Sequence, residues 1–211
     1  MKIIEPSHEI LYMPDYAEIL QHIEKCGRTC YKSEGKGTID SAEAFVQRLI
    51  RRGHLSVIEH MSASVRIVCD RGVSHELVRH RLMSVSQQST RYCRYNDGKD
   101  DGELTFIKPF YWDVTTLEFQ LWHSAMKECE DTYLTLLEHG VTPELARSVL
   151  PNSLKTEIVI TANMREWRHI FRLRCDSAAH PQMREVMRPL LREFYDRCPA
   201  VFFDVYYSIT G

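Results

Sequence analysis

A long helical pattern in the second half of the chain constrains the fold more than any other feature. From Thr116 to His139 the apolar residues recur at the spacing of one helix face, and Gly140 follows as a stop signal. The predicted apolar stripe consists of Leu117, Leu121, Ala125, Cys129, Tyr133 and Leu136. We therefore expect one long helix at the centre of the domain.

Shorter patterns predict the other elements. Helical spacing indicates further helices over Asp15–Lys25, with Gly27 as its stop, and over Asp40–Arg52, Asn163–Arg174 and Gln182–Arg197. Alternating apolar and polar residues predict strands over Ser62–Cys69 and Glu157–Thr161. Because these elements do not alternate as regular strand–helix–strand units, we predict an α+β fold. We expect a single domain over residues 1–211, in which several helices pack against a small, mostly antiparallel sheet.

Charge and cysteine content limit the classes of function. The 27 Lys and Arg residues stand against 29 Asp and Glu residues, a net charge of -2 that argues against bulk binding to nucleic acid. The seven cysteines are scattered, and the chain shows no signal-peptide pattern and no apolar run of about 20 residues. We therefore expect reduced thiols in a cytoplasmic protein that does not associate with membranes.

Spacing gives no support to a metal site or a phosphate loop. His75 and His80 are five residues apart, so they would lie on different faces of a helix. Cys26 and Cys30 lack a second pair at zinc-finger spacing. The nine glycines form neither a P-loop nor a dinucleotide fingerprint. We expect no metal, and a nucleotide cofactor would have to be held by side chains.

Two side chains are candidate nucleophiles. Cys93 lies between Arg91 and Arg94, a basic environment that favours a thiolate, but a free cysteine is more often a buried structural thiol. Ser89 has no identifiable His/Asp pair to serve as its base, so we interpret it as a hydrogen-bonding ligand.

The segment from Arg79 to Tyr92 has the highest density of polar groups. It places four potential cations among hydroxyl and amide side chains, and an Arg fork can bind an oxyanion through two hydrogen bonds. Ser74 is expected to cap a short helix that leads into it. Composition alone leaves two alternatives open: a solvated basic loop, and a nucleic-acid module that stacks bases on Tyr92 and Tyr95.

The order of residues in this segment resembles the signature of the flavin-dependent thymidylate synthases. Arg79-His80-Arg81 is followed, after seven residues, by Ser89, and the spacing of Ser84, Arg91 and Tyr92 is also similar to that family. The resemblance continues at residues 54–60 (HLSVIEH), 144–151 (ELARSVLP), 163–165 (NMR), 173–176 (LRCD) and 180–185 (HPQMRE). It covers nearly the whole chain, in order.

The resemblance implies a reaction, its cofactors and an assembly. Members of this family convert dUMP to dTMP, with 5,10-methylenetetrahydrofolate as carbon donor and tightly bound FAD, reduced by NADPH, as hydride donor. It also implies a homotetramer with active sites at subunit interfaces. The rival interpretation is a flavoprotein reductase or oxidase that does not methylate.

The resemblance assigns the substrate contacts. It makes Arg174 the catalytic residue, which stabilises negative charge on the pyrimidine. The alternative is that Arg174 is only one more exposed charge beside Arg165, Arg168 and Arg172. The implied dUMP-binding residues are Glu76, Arg79, Gln87, Ser89, Arg91, Arg147 and Arg174. Gln87 stands where a glutamate often occurs, so it keeps hydrogen-bonding capacity without the charge.

The resemblance also implies a set of FAD-binding residues: Ser56, Glu59, Arg79, His80, Arg81, Gln87, Asn163, Arg165 and His169. For His80 and His169 an alternative stays open, in which both are partly buried histidines with a structural role.

Overall fold

The computed structural model describes residues 1–30, 39–91 and 103–211, with residues 39 and 40 described by their backbone alone. The helices are α1 (Tyr16–Cys30), α2 (Ile39–Arg51), α3 (Arg71–Leu77), α4 (Leu117–Glu138), α5 (Pro143–Ala146), α6 (Met164–Arg174), α7 (Pro181–Arg197) and α8 (Pro199–Thr210). Short 3-10 helices cover Leu55–His60 and Arg147–Val149. Each of these helices is too short or too polar to cross a lipid bilayer.

The strands are β1 (Lys2–Ile4), β2 (Ser7–Tyr12), β3 (Ser62–Asp70), β4 (Met83–Gln87), β5 (Thr105–Ile107) and β6 (Lys155–Asn163). They form a sheet in the order β2-β3-β6-β4 and a separate β1-β5 pair. The predicted α+β class with a small antiparallel sheet is confirmed. The β1-β5 pair is parallel, which explains why the sheet content is only mostly antiparallel.

The central strands follow their sequence pattern. Alternate residues of β6 are buried along its whole length, as expected when one face of a strand packs against the core. Strand β3 shows the same alternation over most of its length. Both predicted strands are confirmed, and each extends beyond the predicted bounds because backbone pairing continues past the clearest alternation.

The first helix continues past its predicted stop. The backbone N–H of Glu18 donates to Oδ1 of Asp15 at 2.8 Å, so Asp15 caps the start of the helix. Gly27, however, lies inside α1 instead of ending it. A Cβ atom at Gly27 would lie 2.8 Å from Cε1 of Phe45, so glycine is needed there for the close approach of α1 and α2.

The long helix α4 has the predicted length but buries a different face. Thr116 caps it, and Gly140 follows it with a positive φ of 82°. The predicted stripe is wrong at its N-terminal end, because Leu117 and Leu121 are 66% and 63% exposed, whereas Tyr133 is buried as predicted. The buried positions are Phe119, Trp122, Met126, Glu130 and Tyr133. These residues have helical spacing too, and the rings of Phe119, Trp122 and Tyr133 gain more from burial than leucines do. Glu130 is buried because its carboxylate accepts from the backbone N–H of Leu104 and pairs with the N-terminal amino group.

The chain divides into two compact units. The first unit consists of Met1–Ser7, Ile67–Arg79 and Val85–Val159, and the second of His8–Arg66, His80–Ser84 and Ile160–Gly211. The core of the first unit includes Phe106, Trp122 and Tyr133. In the second unit Trp167, Phe171, Phe194 and Phe202 form a cluster whose ring centroids lie 5.1 to 5.9 Å apart. The single domain over residues 1–211 stays a prediction.

The cysteines of the described residues are free thiols: Cys26, Cys30, Cys69, Cys129, Cys175 and Cys198. Burial raises the pKa of Cys69, Cys175 and Cys198 to about 12. A thiol with so high a pKa is a poor nucleophile at neutral pH. Cys93, Tyr92 and Tyr95 lie outside the described residues.

Candidate active site

The polar segment after α3 is not one continuous loop. Helix α3 begins earlier than predicted, because Asp70, and not Ser74, caps it by accepting a hydrogen bond from the backbone N–H of Val73 at 2.6 Å. Strand β4 then occupies the middle of the segment. The interpretation as a wholly solvated basic loop is therefore wrong for Met83–Gln87, which pairs with β6.

In the first unit, two of the predicted phosphate-binding arginines are anchored at the end of this segment. The backbone N–H of Arg91 donates to Oγ of Ser89 at 3.2 Å, and Nη1 of Arg147 donates to Oγ1 of Thr90 at 3.4 Å. Nη2 of Arg91 also lies 3.8 Å from Oε2 of Glu144. Ser89, Arg91 and Arg147 are therefore gathered around one turn, with both guanidinium groups exposed, an arrangement suited to an anion.

Gln87 has a structural connection that its sequence position did not reveal. Its Nε2 donates to Oγ of Ser74 at 2.9 Å and to Oγ1 of Thr156 at 3.2 Å. The side chain thus ties β4 to α3 and β6. Glu76 and Arg79 lie about one turn apart at the end of α3, the first half-buried and the second exposed.

The second unit contains a cavity of about 310 Å³, at the lower end of the size range typical of small-molecule sites. Its lining combines two predicted cofactor residues, Ser56 and Arg165, with residues that the sequence did not single out for binding: Cys30, Leu49, Gly53, His54, Leu55 and Val57. Nη1 of Arg165 lies 2.5 Å from Oε1 of Glu59, so a third predicted cofactor residue holds this guanidinium. The cavity therefore offers an apolar wall, a hydroxyl group and a fixed cation.

Also in the second unit, His80 and Arg174 form a hydrogen-bonded pair. Nε of Arg174 donates to Nε2 of His80 at 3.0 Å, and the ring centroid of His169 lies 5.5 Å from that of His80. Burial, together with the charges of Arg174 and His169, lowers the pKa of His80 to about 4. The imidazole is therefore neutral at pH 7, as it must be to accept a hydrogen bond from a guanidinium.

The other arginines of α6 have different partners. Arg165 pairs with Glu59, while Arg168 and Arg172 both pair with Asp204, at 2.6 and 2.9 Å. Arg168 also donates to the backbone carbonyl of Val201, whereas Arg174 donates to the ring nitrogen of a neutral imidazole. Arg174 is half-buried and hydrogen-bonded to His80, which disfavours the alternative of one more exposed charge, and its catalytic role stays a prediction.

The helix N-terminus beside these groups is fixed by Asn163. Its Oδ1 accepts a hydrogen bond from the backbone N–H of Glu166 at 2.9 Å, so this predicted cofactor residue also caps α6. Arg81 follows His80 and is exposed, whereas His80 itself is buried. The structure thus gathers Arg174, His80 and His169 in one place and Ser56, Glu59 and Arg165 around the cavity.

Comparison with known proteins assigns the chain to a family. The model of the family described as "Thymidylate synthase complementing protein" matches residues 12–200. A flavin-dependent thymidylate synthase of Geobacter sulfurreducens is 36% identical over 200 residues, which cover 88% of this chain and 84% of the relative. The chain belongs to the flavin-dependent thymidylate synthase family. Membership confirms the resemblance that the motifs carry, and with it the predicted class of enzyme, a methyltransferase.

Further comparisons agree with this assignment. A flavin-dependent thymidylate synthase of Mycobacterium avium is 35% identical over 194 residues, which cover 86% of this chain and 78% of the relative. The fold is similar to the crystal structure of a UMP/dUMP methylase from Streptomyces cacaoi bound with 5-Br dUMP, with a TM-score of 0.78. That likeness covers 99% of this chain and 98% of the other at 20% identity, so it bears on the fold alone.

One group of side chains that could bind a metal ion was not predicted from the sequence of this flavin-dependent thymidylate synthase family member. His80, Glu166 and His169 place nitrogen and oxygen atoms within 4.8 Å of one another. Nε2 of His80, however, already accepts a hydrogen bond from the permanently charged Arg174. A metal ion would have to bind beside that cation, so we assign no metal to the group, and the expected absence of a metal site stays a prediction.

Proposed function

We propose that this chain makes dTMP from dUMP, with 5,10-methylenetetrahydrofolate as carbon donor and with FAD, reduced by NADPH, as the source of the hydride. The observation that supports this proposal best is the Arg174–His80 pair. Donation through Nε to a buried, neutral imidazole fixes the plane of the guanidinium, and a fixed cation is what the pyrimidine chemistry needs.

Arg174 is the proposed catalytic residue. For C5 of uracil to attack a methylene carbon, negative charge must spread onto the ring nitrogen and the carbonyl oxygens. A guanidinium beside those atoms stabilises that charge without changing its own protonation state. Because its orientation is set before the substrate arrives, little reorganisation is needed as the charge develops.

The first unit supplies the proposed phosphate contacts of dUMP. Arg91 and Arg147, anchored around the turn at Ser89, offer two guanidinium groups and a hydroxyl to the phosphate oxygens. Glu76 and Arg79 are the proposed contacts to the nucleoside, and Gln87 supports them through Ser74. Since the resemblance implies active sites built from several subunits, these residues and Arg174 can serve one dUMP from different copies of the chain.

The second unit supplies the proposed flavin contacts. Its cavity combines apolar side chains with the Ser56 hydroxyl and the Arg165 cation, donors and surfaces that fit a ring system joined to phosphates. Glu59 holds Arg165 in place, and His80, Arg81, Asn163 and His169 are the other proposed contacts, together with Arg79 and Gln87 from the first unit. When bound, the flavin supplies the hydride. Because His80 is neutral, it places no second positive charge beside Arg174. The guanidinium can therefore direct its remaining N–H groups towards the substrate.

We also propose a homotetramer in the cytoplasm. Leu117, Leu121 and Leu145 are each more than 60% exposed, and such apolar side chains would be stabilised by burial against another copy of the chain. The free thiols of the described residues are compatible with a reducing compartment.

Product analysis tests the function. The purified protein is incubated with NADPH, methylenetetrahydrofolate and dUMP, and dTMP is measured by chromatography with each component omitted in turn. We expect a flavin absorption spectrum and dTMP only in the complete mixture. Consumption of NADPH without any dTMP would favour the reductase or oxidase interpretation. Salt-sensitive affinity for oligonucleotides, with none for dUMP, would favour the nucleic-acid module.

A further inference from the structure

Glu166 is a buried carboxylate that the proposed chemistry does not use. Its side chain is 9% exposed, and its Oε1 lies 3.5 Å from Nδ1 of His80. The cap that Asn163 makes to its backbone N–H fixes the first turn of α6 on which Glu166 stands. A buried carboxylate is costly unless it has a partner, and here the partner is the imidazole.

The two neighbours of His80 require the same tautomer. Nε of Arg174 can only donate, so Nε2 of His80 must carry a lone pair and the proton of the neutral ring must sit on Nδ1. Oε1 of Glu166 lies 3.5 Å from that nitrogen, at the limit of hydrogen-bond distance, and an ionised carboxylate accepts hydrogen bonds but cannot donate them. The guanidinium and the carboxylate therefore both favour the Nδ1–H form.

We propose that Glu166 is a positioning residue that, through the tautomer and ring orientation of His80, holds the guanidinium of Arg174 where the pyrimidine needs it. This inference rests on the proposed function of Arg174. Without Glu166 the imidazole can turn, or carry its proton on Nε2, and that proton would face the Nε–H of Arg174. Two donors that face each other in a buried site are destabilising, so Arg174 would move away.

Enzyme assays on matched variants give the first test. Outer partners that orient a histidine contribute about 10- to 100-fold to function in metal sites, and we expect a loss of that size in kcat for Glu166→Ala. Glu166→Gln should retain most of the activity, because its amide oxygen can take the place of the carboxylate oxygen opposite Nδ1. Flavin content and dUMP affinity should change much less than kcat in both variants.

Glu24→Ala is the control for burial. The side chains of Glu24 and Glu166 are both 9% exposed, and Glu24 pairs with Arg28 in α1. We expect Glu24→Ala to lower the melting temperature as much as Glu166→Ala does, with near wild-type kcat. Equal loss of kcat in Glu24→Ala and Glu166→Ala, or equal loss in Glu166→Ala and Glu166→Gln, would overturn the proposal.

A second readout does not depend on activity. In protein labelled with 15N-histidine, solid-state NMR distinguishes the two neutral tautomers, and the signal of His80 is the one that disappears in His80→Gln. We expect the Nδ1–H form in the wild type and an increase of the Nε2–H form in Glu166→Ala. An unchanged tautomer in Glu166→Ala overturns the positioning function of Glu166, even if dTMP formation is lost. A changed tautomer with unchanged dTMP formation also overturns the proposal, because the tautomer of His80 would then not govern Arg174, whereas the catalytic function of Arg174 is tested separately by Arg174→Ala.

Discussion

The two groups of functional side chains differ in how their cations are held. In the first unit, Arg91 is 51% exposed and lies 3.8 Å from a carboxylate that is equally exposed. In the second unit, Arg174 donates at 3.0 Å to an imidazole whose side chain is only 4% exposed. An exposed cation suits a phosphate that brings its own charge, whereas a fixed and partly dehydrated cation suits charge that develops during a reaction. On the proposed function, the exposed cations therefore serve binding and the fixed cation serves catalysis.

Removal of the fixed cation should have the largest effect. We expect Arg174→Ala to lower kcat for dTMP formation by about 100- to 1000-fold, the range for loss of one donor to a developing anion. Flavin content and melting temperature should stay close to those of the wild type. Arg172→Ala, on the same helix and paired with Asp204, is the matched control and should retain turnover within about 2-fold. Unchanged turnover in Arg174→Ala would remove the residue from catalysis.

The neutral state of His80 should appear as a pH dependence of stability. Its pKa in the folded protein is lowered to about 4 from an ordinary value of 6.5, so the unfolded chain takes up the proton first as the pH falls. The stability that this group contributes is complete above pH 6.5 and is lost between pH 6.5 and 4, up to about 3 kcal/mol. Urea unfolding of wild type and His80→Gln at pH 7 and pH 4 measures the difference. Parallel losses in the two proteins would contradict a neutral His80.

The exposed arginines should act on binding through the phosphate. We expect Arg91→Ala and Arg147→Ala each to weaken dUMP about 10- to 100-fold, the size of a charge-assisted hydrogen bond. Deoxyuridine, which lacks the phosphate, should bind these variants and the wild type equally, and added salt should narrow the difference for dUMP. Calorimetric titration provides the affinities, with Arg192→Ala as an exposed control whose partner is Asp196. An equal loss for deoxyuridine would refute the assignment.

The smallest effect on a single chain is expected at the exposed face of α4. Leu121→Asn should change the melting temperature of the isolated chain little, because Leu121 is already 63% exposed. If that face is buried between copies, the same change should shift the assembly towards smaller species in analytical ultracentrifugation. A variant that sediments like the wild type would exclude Leu121 from the interface.

Local patterns predicted the helices better than their buried faces. The bounds of α4 follow from its cap and its terminal glycine, which are neighbours in sequence. Which face of α4 is buried depends on the elements that pack against it. The helix carries two stripes of similar length, and its own sequence does not determine which of them is buried. Helix α8 was not predicted at all, because apolar and aromatic residues fill nearly all its sides and leave no helical periodicity.

The residues of the candidate site also divide into those that local motifs predict and those that depend on contacts distant in the sequence. The ordered motifs of the chain were enough to select Arg174, His80 and Ser89, and family membership agrees with the resemblance that they carry. Glu166 was missed because its partner is 86 residues away in the sequence, and no local spacing links a carboxylate on α6 to a histidine that precedes β4. Most residues of the cavity wall were missed for a related reason, since apolar side chains such as Leu49 look like ordinary core residues in sequence.

Because α1 and α2 are in close contact at Gly27, this glycine influences the shape of the cavity although it does not line it. A single added methyl group there would meet Cδ1 of Leu49 at 3.0 Å, and Leu49 lines the cavity. The pocket can thus be reshaped by a residue that does not line it. A substitution at Gly27 would therefore weaken the binding of an inhibitor that fits this cavity. Gly27 lies one layer behind the cavity wall, so it is not among the residues that contact such an inhibitor.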